Sequence, residues 1–145
     1  MAAIDHDTLV AFFENNIAFN LHLGMKVELV EPGHCVLRIP YRPELIGDPW
    51  RPALHGGVMS TIIDTAGGLA VFASLDQIGG VSTVDLRVDY LRPGLLEDVF
   101  CDATVIRAGN RVAQASMRVL QGPDRSYLAA EGRGVYNITR PDDKK

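Results

Sequence analysis

The longest apolar stretch of the sequence, residues 54–75, constrains the fold more than any other feature. It is too long for one ordinary strand and is apolar nearly all round, so it predicts a helix of about 56–75 that is buried on every side. A membrane-spanning helix is the competing interpretation, because ~18 largely apolar residues are enough to cross a bilayer. Asp64 lies in the middle of the stretch and amphipathic strand patterns flank it, which argues against insertion into a membrane.

Length and charge narrow the class of protein further. The chain has 145 residues, which fits one domain, since ~100–200 residues per domain is the usual range. Its formal net charge is −4, so we expect no general attraction to nucleic acid or to an anionic membrane. Cys35 and Cys101 lie among alternating apolar residues, which predicts buried free thiols. The first ten residues lack the basic and apolar regions of a secretory signal, so the expected location is cytoplasmic.

The part of the chain before the apolar stretch combines one helical pattern with two strand patterns. Apolar residues at helical spacing predict an N-terminal helix of about 7–22, capped by Asp5 or Asp7 and ended by Gly24. Beyond this helix the period changes to two, which predicts two short strands joined by a Pro-Gly turn. The residues 42–52 contain three prolines and are expected to form a loop.

Four longer strands in meander order are expected after the apolar helix, and residues 140–145 form a polar tail. One face of the first of these strands is predicted to carry Val84, Leu86, Val88 and Tyr90. A helix that is apolar all round needs a surface that wraps it, and a strongly curved antiparallel sheet supplies one. The sequence therefore predicts a single α+β domain over 1–145, with an antiparallel sheet rolled around a long central helix.

Two adjacent glycines open the central helix. Gly56 and Gly57 leave backbone N–H groups bare and free of Cβ obstruction, so a carbonyl oxygen can approach the positive end of the helix dipole. Such an arrangement is an oxyanion hole, in which each donor lowers an acyl-transfer barrier by on the order of 3 kcal/mol. The alternative interpretation is a helix start that uses glycine to pack closely against a strand.

Asp64 is the strongest candidate for a functional acid, because a carboxylate within an apolar helix is costly unless it is paired, coordinated or used in chemistry. A structural partner, such as an Arg or a backbone N–H, is the alternative. Gly57 and Asp64 lie ~10 Å apart along one helix at ~1.5 Å per residue, so they cannot both touch one carbonyl carbon. Two antiparallel copies of the helix, related by a twofold axis, would bring Gly57 of one chain near Asp64 of the other. We therefore expect a homodimer with shared sites, or a tetramer built from it.

The His-Gly-Gly sequence at 55–57, followed by Asp64, resembles the hot-dog fold thioesterases, and specifically their phenylacetate-pathway (PaaI-like) branch. Residues 84–94 resemble that family's first long strand and its exit turn, and residues 105–111 resemble its next connection. The resemblance covers roughly 24–136. It implies a hot-dog fold, acyl-coenzyme A thioesterase activity and two subunits that share each site.

The resemblance also implies a role for each site residue. Asp64 acts as nucleophile or general base toward the thioester, and the N–H of Gly57 polarises the thioester carbonyl. His55 supports that end of the site. Thr83 occupies the place where the family often has a hydroxyl that positions the attacking water.

The sequence departs from the family pattern in the loop before the helix. Related sequences often carry an Asn six residues before the His, and this chain has Pro49 there. Asp48 or a rebuilt loop is the expected substitute. Trp50, the only tryptophan, is expected either to border the acyl pocket or to anchor the loop at the surface.

Substrate-binding residues are expected at both ends of the ligand. Gly56 belongs to the helix start that receives the thioester, and the depth of the acyl pocket depends on how Phe72, Leu75 and Trp50 meet. The phosphates of coenzyme A would be bound by Arg at strand-end turns, or else these side chains are simply solvated. The candidates are Arg92, Arg107 and Arg111.

An acyl-coenzyme A thioesterase for aromatic or medium-chain acyl groups is the leading hypothesis. No metal and no cofactor beyond the coenzyme A of the substrate is expected, since His6, His22 and His34 lack the spacing of metal ligands. No Gly-x-Ser-x-Gly elbow occurs, which disfavours a serine acyl-enzyme. Two alternatives remain: a non-catalytic acyl-coenzyme A sensor on the same fold, and a hydratase or dehydratase that uses His55 to move protons.

Overall fold

The computed structural model describes residues 5–77 and 79–144, and within them it contains three α-helices and eight strands. The helices are α1 (His6–Ala11), α2 (Ala18–Leu23) and α3 (Gly56–Ala73). The strands are β1 (Lys26–Glu31), β2 (His34–Ile39), β3 (Ile46–Asp48), β4 (Ala53–Leu54), β5 (Gly80–Tyr90), β6 (Val99–Ala108), β7 (Val112–Gln121) and β8 (Tyr127–Thr139). The predicted tail folds as a 3₁₀ turn over Pro141–Lys144, and Lys145 and residues 1–4 lie outside the described residues.

Six strands form one antiparallel sheet in the order β1-β2-β6-β7-β8-β5, and α3 packs against it. Alternate residues of the strands meet the helix, so that both contribute fully buried side chains to one core. Those of the helix include Ile62, Ile63 and Leu69, and those of the sheet include Leu37, Met117 and Val119. By length and composition α3 is able to cross a membrane, but 50% of it is buried inside this fold. The predicted architecture, an antiparallel sheet around a long central helix, is confirmed.

The predicted meander order is wrong for β5. The strands β6, β7 and β8 are sequential neighbours, but β5 pairs with β8, and the free side of β6 is taken by β2. Residues 91–98 therefore carry the chain from one edge of the sheet toward the other. The buried Gln121 fixes this connection, because its side-chain amide accepts from Leu95 N–H at 2.9 Å and donates to the carbonyls of Leu95 and Glu97.

The strand β5 is eleven residues long and forms an edge of the sheet. A bulge between Thr83 and Asp85 displaces Val84, which is 65% exposed. The predicted apolar face is therefore wrong at Val84, whereas Leu86 and Val88 are half-buried and Tyr90, although exposed, lies on the same side of the strand, against Gly56 of α3. The bulge shifts the alternation by one residue, which the sequence pattern alone did not indicate.

The prediction that α3 is buried on every side is also wrong for the single chain. One sheet face covers only one side of a helix, and the opposite stripe of α3 is half-buried. This stripe, called the open face below, consists of Gly57, Thr61, Asp64, Thr65, Gly68 and Phe72. The open face carries the candidate acid.

The predicted N-terminal helix of about 7–22 is interrupted. It begins as expected, with the Asp5 carboxylate accepting from the N–H of Thr8 at 3.1 Å. After α1, the segment Phe12–Asn16 forms a π-helical turn, and Ile17 is extended with φ −90° and ψ 106°. The helix α2 then ends at Gly24, which has φ 67° and so takes the left-handed conformation that glycine favours.

The break in the N-terminal helix is held by a buried side chain. Asn20 is 3% exposed, and its side-chain amide donates to the carbonyl of Phe13 at 3.0 Å. A half-buried carbonyl that has no helical partner is satisfied by such a side chain. The break therefore belongs to the fold, and it turns Phe12, Phe13 and Ile17 toward the open face of α3.

The predicted loop at 42–52 contains regular structure. A 3₁₀ turn over Pro43–Leu45 leads into β3, which pairs with β4 in a small antiparallel hairpin. The pairing of Ile46 with Leu54 sets this hairpin directly before the start of α3. Its proline-rich tip is the part that fits the prediction of a loop.

Both cysteines are buried and free, as predicted. The Sγ of Cys35 donates to the carbonyl of Ala66 in α3 at 3.2 Å. Burial raises the pKa of the Cys35 thiol to about 12, so the group stays a protonated, unreactive part of the core.

Candidate active site

The start of α3 uses a histidine ring as its cap. His55 is the N-cap residue, and its Nδ1 accepts a hydrogen bond of 2.8 Å from the N–H of Gly57. The N–H of Val58 donates to the carbonyl of His55 at 2.9 Å. In the described part of the chain the N–H of Gly56 has no acceptor. The expectation that both glycine amides are bare is therefore wrong for Gly57 and holds for Gly56.

Neighbouring elements fix the backbone of His55. Its N–H donates to the carbonyl of Leu45 at 2.8 Å, and the N–H of Leu54 donates to Gly94 at 3.1 Å. Gly47 in β3 packs so closely on His55 that a Cβ at position 47 would lie 2.6 Å from the His55 Cα. The hairpin and the β5 exit turn thus determine where the N-terminus of α3 points.

Tyr90 contacts the same helix start from β5. Its hydroxyl donates to the carbonyl of Gly56 at 3.2 Å, and a Cβ on Gly56 would lie 3.2 Å from the Tyr90 Cε1. Glycine at position 56 thus leaves room for the tyrosine ring. The sequence pattern treated Tyr90 only as a member of an apolar strand face.

Asp64 lies eight residues into α3, on the open face, and is half-buried. The hydroxyl of Thr83 in β5 donates to Asp64 Oδ1 at 2.7 Å, so the structure brings these two predicted site residues together. Within the described residues Asp64 belongs to no ion pair, so the structural alternative of an Arg partner has no support. The hydroxyl of Tyr136 donates to the backbone carbonyl of Asp64 at 3.0 Å. The pKa of this phenol is raised, mainly by burial and to a smaller extent by the negative charge of Asp64.

A cavity of about 360 Å³ opens beside Asp64 and Thr83. Its walls come from the open face of α3, the start of β5 and the interrupted N-terminal helix. Two ring pairs meet edge to face there: Phe12 with Phe13 at 5.9 Å, and Phe13 with Phe72 at 6.1 Å between centroids. The lining also includes Ile17, Thr65, Gly68, Gly79, Gly80, Val81 and Tyr136. An apolar pocket with a carboxylate at its edge suits an apolar group attached to a reacting centre.

The acid and the free amide do not meet within one chain. Gly56 and Asp64 lie on the same helix, ~12 Å apart at ~1.5 Å per residue. His55 and Gly57 share the amide end of α3 with Gly56, and Thr83 shares the carboxylate end with Asp64. A single chain therefore presents two half-sites.

The loop candidates lie at the amide end but outside the cavity beside Asp64. Trp50 is 91% exposed at the tip of the β3–β4 hairpin, and it does not line that cavity. The carboxylate of Asp48 accepts from the N–H groups of Arg51 and Trp50, at 3.1 Å and 2.9 Å. Both bonds hold the pKa of Asp48 below its ordinary value, and the bond from Arg51 has the larger effect. Asp48 therefore stabilises its own turn.

The three candidate arginines lie at two ends of the sheet. Arg92 follows Tyr90 at the amide end, with its guanidinium 5.4 Å from the centre of the Tyr127 ring, and it borders a cavity of about 310 Å³ beside Gly56. Arg107 and Arg111 lie together at the β6–β7 turn, where they border a cavity of about 410 Å³. Val112, at this turn, pairs with Asn137 of β8, and Asn137 pairs on its other side with Ser82 of β5. The turn therefore lies near the Thr83 end of β5.

Sequence reasoning missed Phe12, Phe13 and Ile17 as pocket residues. Their apolar spacing fitted a helical core face, and only the break at Ile17 turns them toward Asp64. The adjacent pair of phenylalanines was a usable signal, because one helical face cannot bury both neighbours equally. Of the residues predicted to set pocket depth, Phe72 lines the cavity and Leu75 and Trp50 do not.

The sequence and the fold of this chain are similar to those of known proteins. Residues 52–127 match the profile of the Thioesterase superfamily. The medium/long-chain acyl-CoA thioesterase YigI of Escherichia coli K12 is 33% identical over 131 residues, which cover 81% of this chain and 84% of YigI. A relative from Halobacterium salinarum is 36% identical over 152 aligned residues, covering 98% of this chain and all of the relative. The solved structure of a Shewanella oneidensis protein related to the thioesterase superfamily has a TM-score of 0.80 and 33% identity, covering 90% and 93% of the two chains.

Proposed function

The chain belongs to the thioesterase superfamily, and from this premise we propose that it hydrolyses acyl-coenzyme A thioesters at a site shared by two protomers. The expected enzyme class, a thioester hydrolase, and the hot-dog fold are confirmed by the family. The observation that carries the finer proposal is the hydrogen bond from Thr83 to Asp64 at the edge of the apolar cavity. Membership of the PaaI-like branch remains a prediction.

A second copy of the chain would complete the site. The eleven residues of β5 expose an unpaired strand edge, which is a template for pairing with another chain. The open face of α3 lies beside this edge and is only half-buried. A twofold axis that pairs the two β5 edges antiparallel brings the Gly56 end of one helix toward Asp64 of the other, twice per dimer. We propose that this homodimer is the active form.

The chemistry follows from the two half-sites. The N–H of Gly56 from one protomer donates to the thioester carbonyl oxygen and stabilises the charge that develops there. Asp64 of its partner takes a proton from water as the water oxygen attacks the carbonyl carbon. The C–S bond then breaks and releases the carboxylic acid, and the thiolate takes from Asp64 the proton that came from water and leaves as the free thiol. This acid and this amide suffice, so we expect no metal and no further cofactor.

Thr83 has a defined part in this step. Its hydroxyl proton is directed at Asp64 Oδ1, which leaves the oxygen of Thr83 free to accept a hydrogen bond from the attacking water. Asp64 Oδ2 is then the oxygen that accepts the proton of the water. His55, through its ring nitrogen on the N–H of Gly57, supports the amide end of the site.

The acyl group is proposed to lie in the cavity beside Asp64. A volume of about 360 Å³ and walls of Phe12, Phe13 and Phe72 favour an aromatic or a medium-length aliphatic acyl group. YigI, by its name, acts on medium and long chains. The ring pair of Phe13 and Phe72 supports the shorter end of that range, because it narrows the cavity.

The nucleotide end of coenzyme A is proposed to meet arginines from both protomers. The twofold arrangement that joins Gly56 to the partner's carboxylate end also brings Arg92 of one chain toward the β6–β7 turn of the other. Arg107 and Arg111 line the cavity at that turn. Guanidinium groups bind phosphate oxygens in pairs, which fits the phosphates of this carrier.

A panel of acyl-coenzyme A thioesters, assayed with a thiol reagent, tests the proposal. We expect release of free thiol from aromatic and medium-chain substrates, and a loss of about a hundredfold or more in kcat for Asp64→Asn. Asp142→Asn, which removes an exposed carboxylate from the tail, serves as the matched control and keeps the wild-type rate.

Other outcomes would replace the proposal by one of its alternatives. Tight binding of acyl-coenzyme A without thiol release would indicate a sensor. Addition of water to a crotonyl thioester, with the C–S bond left intact, would indicate a hydratase. Full activity of Asp64→Asn would remove this residue from the mechanism.

A further inference from the structure

One peptide unit at the start of α3 is held at both of its polar ends. The carbonyl of Gly56 accepts from the Tyr90 hydroxyl at 3.2 Å, and the N–H of Gly57 donates to Nδ1 of His55 at 2.8 Å. These two groups belong to the same peptide plane, between Gly56 and Gly57. We call this arrangement the peptide clamp.

The clamp restrains the peptide between two adjacent glycines at the start of α3. Two glycines in sequence give a peptide unit that rotates more freely than any other, because neither residue has a Cβ to limit φ and ψ. Hydrogen bonds on opposite edges of the plane oppose such a rotation. The N–H of Gly56 belongs to the preceding peptide plane, whose carbonyl, that of His55, accepts from the N–H of Val58 at 2.9 Å. With the clamp, both peptide planes that flank the Gly56 Cα are therefore held, which fixes the direction of the Gly56 N–H.

We propose that Tyr90 is a positioning residue for thioester hydrolysis, which with His55 fixes the Gly56–Gly57 peptide and so aims the free N–H of Gly56 at the substrate carbonyl. This inference rests on the proposed function, because it assigns the amide donor of that site. Orientation of an oxyanion donor affects the transition state more than substrate binding. Loss of the Tyr90 hydroxyl therefore lowers kcat and leaves KM nearly unchanged.

The surroundings of Tyr90 fit this role better than a role in stability. Its side chain is 55% exposed at the end of an edge strand, so its hydroxyl contributes little to the folded state. Its ring lies against Gly56, where any larger residue would be within 3.2 Å of it. The hydroxyl of Tyr90 reaches no carbonyl other than that of Gly56 in the described chain.

Tyr90→Phe, which removes only the hydroxyl, is the test variant, and Tyr127→Phe is its matched control. The hydroxyl of Tyr127 donates to the carbonyl of Pro93 at 2.7 Å, in the neighbouring turn. We expect kcat to fall about tenfold in Tyr90→Phe, with KM and thermal midpoint nearly unchanged. Tyr127→Phe keeps the wild-type kcat.

Amide NMR gives a readout that does not depend on activity. A hydrogen bond to the Gly56 carbonyl polarises the peptide and deshields the nitrogen of Gly57. In Tyr90→Phe the ¹⁵N resonance of Gly57 moves upfield, whereas in Tyr127→Phe the resonance of Gly94 moves and that of Gly57 does not.

The two failures are distinguishable. No hydrolysis of any thioester by the wild-type protein would overturn the proposed function, and the catalytic purpose of the clamp with it. A normal wild-type rate together with an unimpaired Tyr90→Phe variant would overturn the role of Tyr90 alone. A rise in KM at constant kcat would make Tyr90 a substrate contact and would equally contradict the proposal.

Discussion

The hydroxyl of Thr83 donates to Asp64 Oδ1 at 2.7 Å and joins the middle of the central helix to the edge strand of the sheet. The two residues are 19 positions apart in the sequence and belong to different elements, α3 and β5. It lies on the open side of the molecule, at the edge of an apolar cavity. A half-buried carboxylate that is oriented by one hydroxyl, and that no cation among the described residues neutralises, remains available to act on a ligand.

Removal of the Thr83 hydroxyl tests its part in catalysis. Thr83→Val keeps the shape of the side chain but leaves Asp64 Oδ1 and the attacking water without their common partner. We expect kcat to fall about tenfold with little change in KM, and Thr83→Ser to restore most of the rate. Steady-state kinetics measure both constants. Ser82→Ala, a hydroxyl deletion at the exposed neighbour, should leave them unchanged, and an equal loss there would point to a general effect on β5.

Phe13 is predicted to limit the length of the acyl group. Its ring packs edge to face on Phe72 at 6.1 Å across the cavity, so Phe13→Ala extends the space beyond the present 360 Å³ or so. We expect the ratio of kcat/KM for long over medium acyl chains to rise by about tenfold. Phe19→Ala, at a phenylalanine that is 57% exposed in α2, is the control. An unchanged chain-length profile in Phe13→Ala would place the acyl group elsewhere.

The adjacent glycines Gly67 and Gly68 should respond oppositely to alanine. A Cβ on Gly67 would collide with the Tyr136 hydroxyl and with the Met117 sulfur, whereas one on Gly68 would meet Tyr136 at an ordinary 3.7 Å. We expect Gly67→Ala to lower the free energy of unfolding by about 1–3 kcal/mol through overpacking. Gly68→Ala should raise it by up to about 1 kcal/mol through helix propensity. Urea unfolding measures both, and equal effects would contradict the packing described for Tyr136.

His34 should make stability depend on pH. In its protonated form it donates from Nδ1 to Glu31 Oε1 at 3.0 Å and from Nε2 to Asp102 Oδ1 at 2.9 Å, and the bond to Glu31 is the main reason that its pKa is raised. A raised pKa means that the stabilisation is complete below the unfolded value and is lost as pH rises through the folded value. We therefore expect His34→Ala to destabilise the protein more at about pH 5.5 than at about pH 8.5. Thermal unfolding across this window measures the difference, and a constant effect would contradict it.

Much of the fold was predictable from local pattern. Period-two alternation is a property of each strand by itself, and Ala113, Ala115, Met117 and Val119 are buried as it predicts. The long apolar stretch gave α3 with its start at Gly56 and an end at Ala73, close to the expected 56–75. The order of the strands was not predictable from local pattern, because β5 pairs with β8, which is distant in the sequence, and no local pattern encodes that pairing.

The site residues that their side-chain chemistry alone identifies were predictable from the sequence. The features that depend on three-dimensional geometry were not. A carboxylate in an apolar helix marked Asp64 without any structure. The engagement of the Gly57 N–H depends on the rotamer of His55, and the pocket depends on the break at Ile17. Both result from side chains that satisfy backbone groups left over at helix ends, and of the two only the pocket had a signal in the sequence, the adjacent phenylalanines.

Mixed dimers test the central claim, that each site takes its acid from one protomer and its amide from the other. Gly56→Pro removes the amide donor, and proline is favoured at the first helical position, so the helix tolerates it. Gly56→Ala is the matched control, because it adds a Cβ as proline does but keeps the N–H. We expect Gly56→Ala to be more active than Gly56→Pro.

Purified Gly56→Pro and Asp64→Asn proteins are mixed in equal amounts, allowed to exchange subunits, and assayed with the best acyl-coenzyme A substrate. Each variant alone is predicted to be nearly inactive. The mixture should recover about a quarter of the wild-type rate, because half of the dimers are mixed and each of these has one intact site. A mixture that remains as inactive as its components, despite demonstrated exchange, would contradict the shared site.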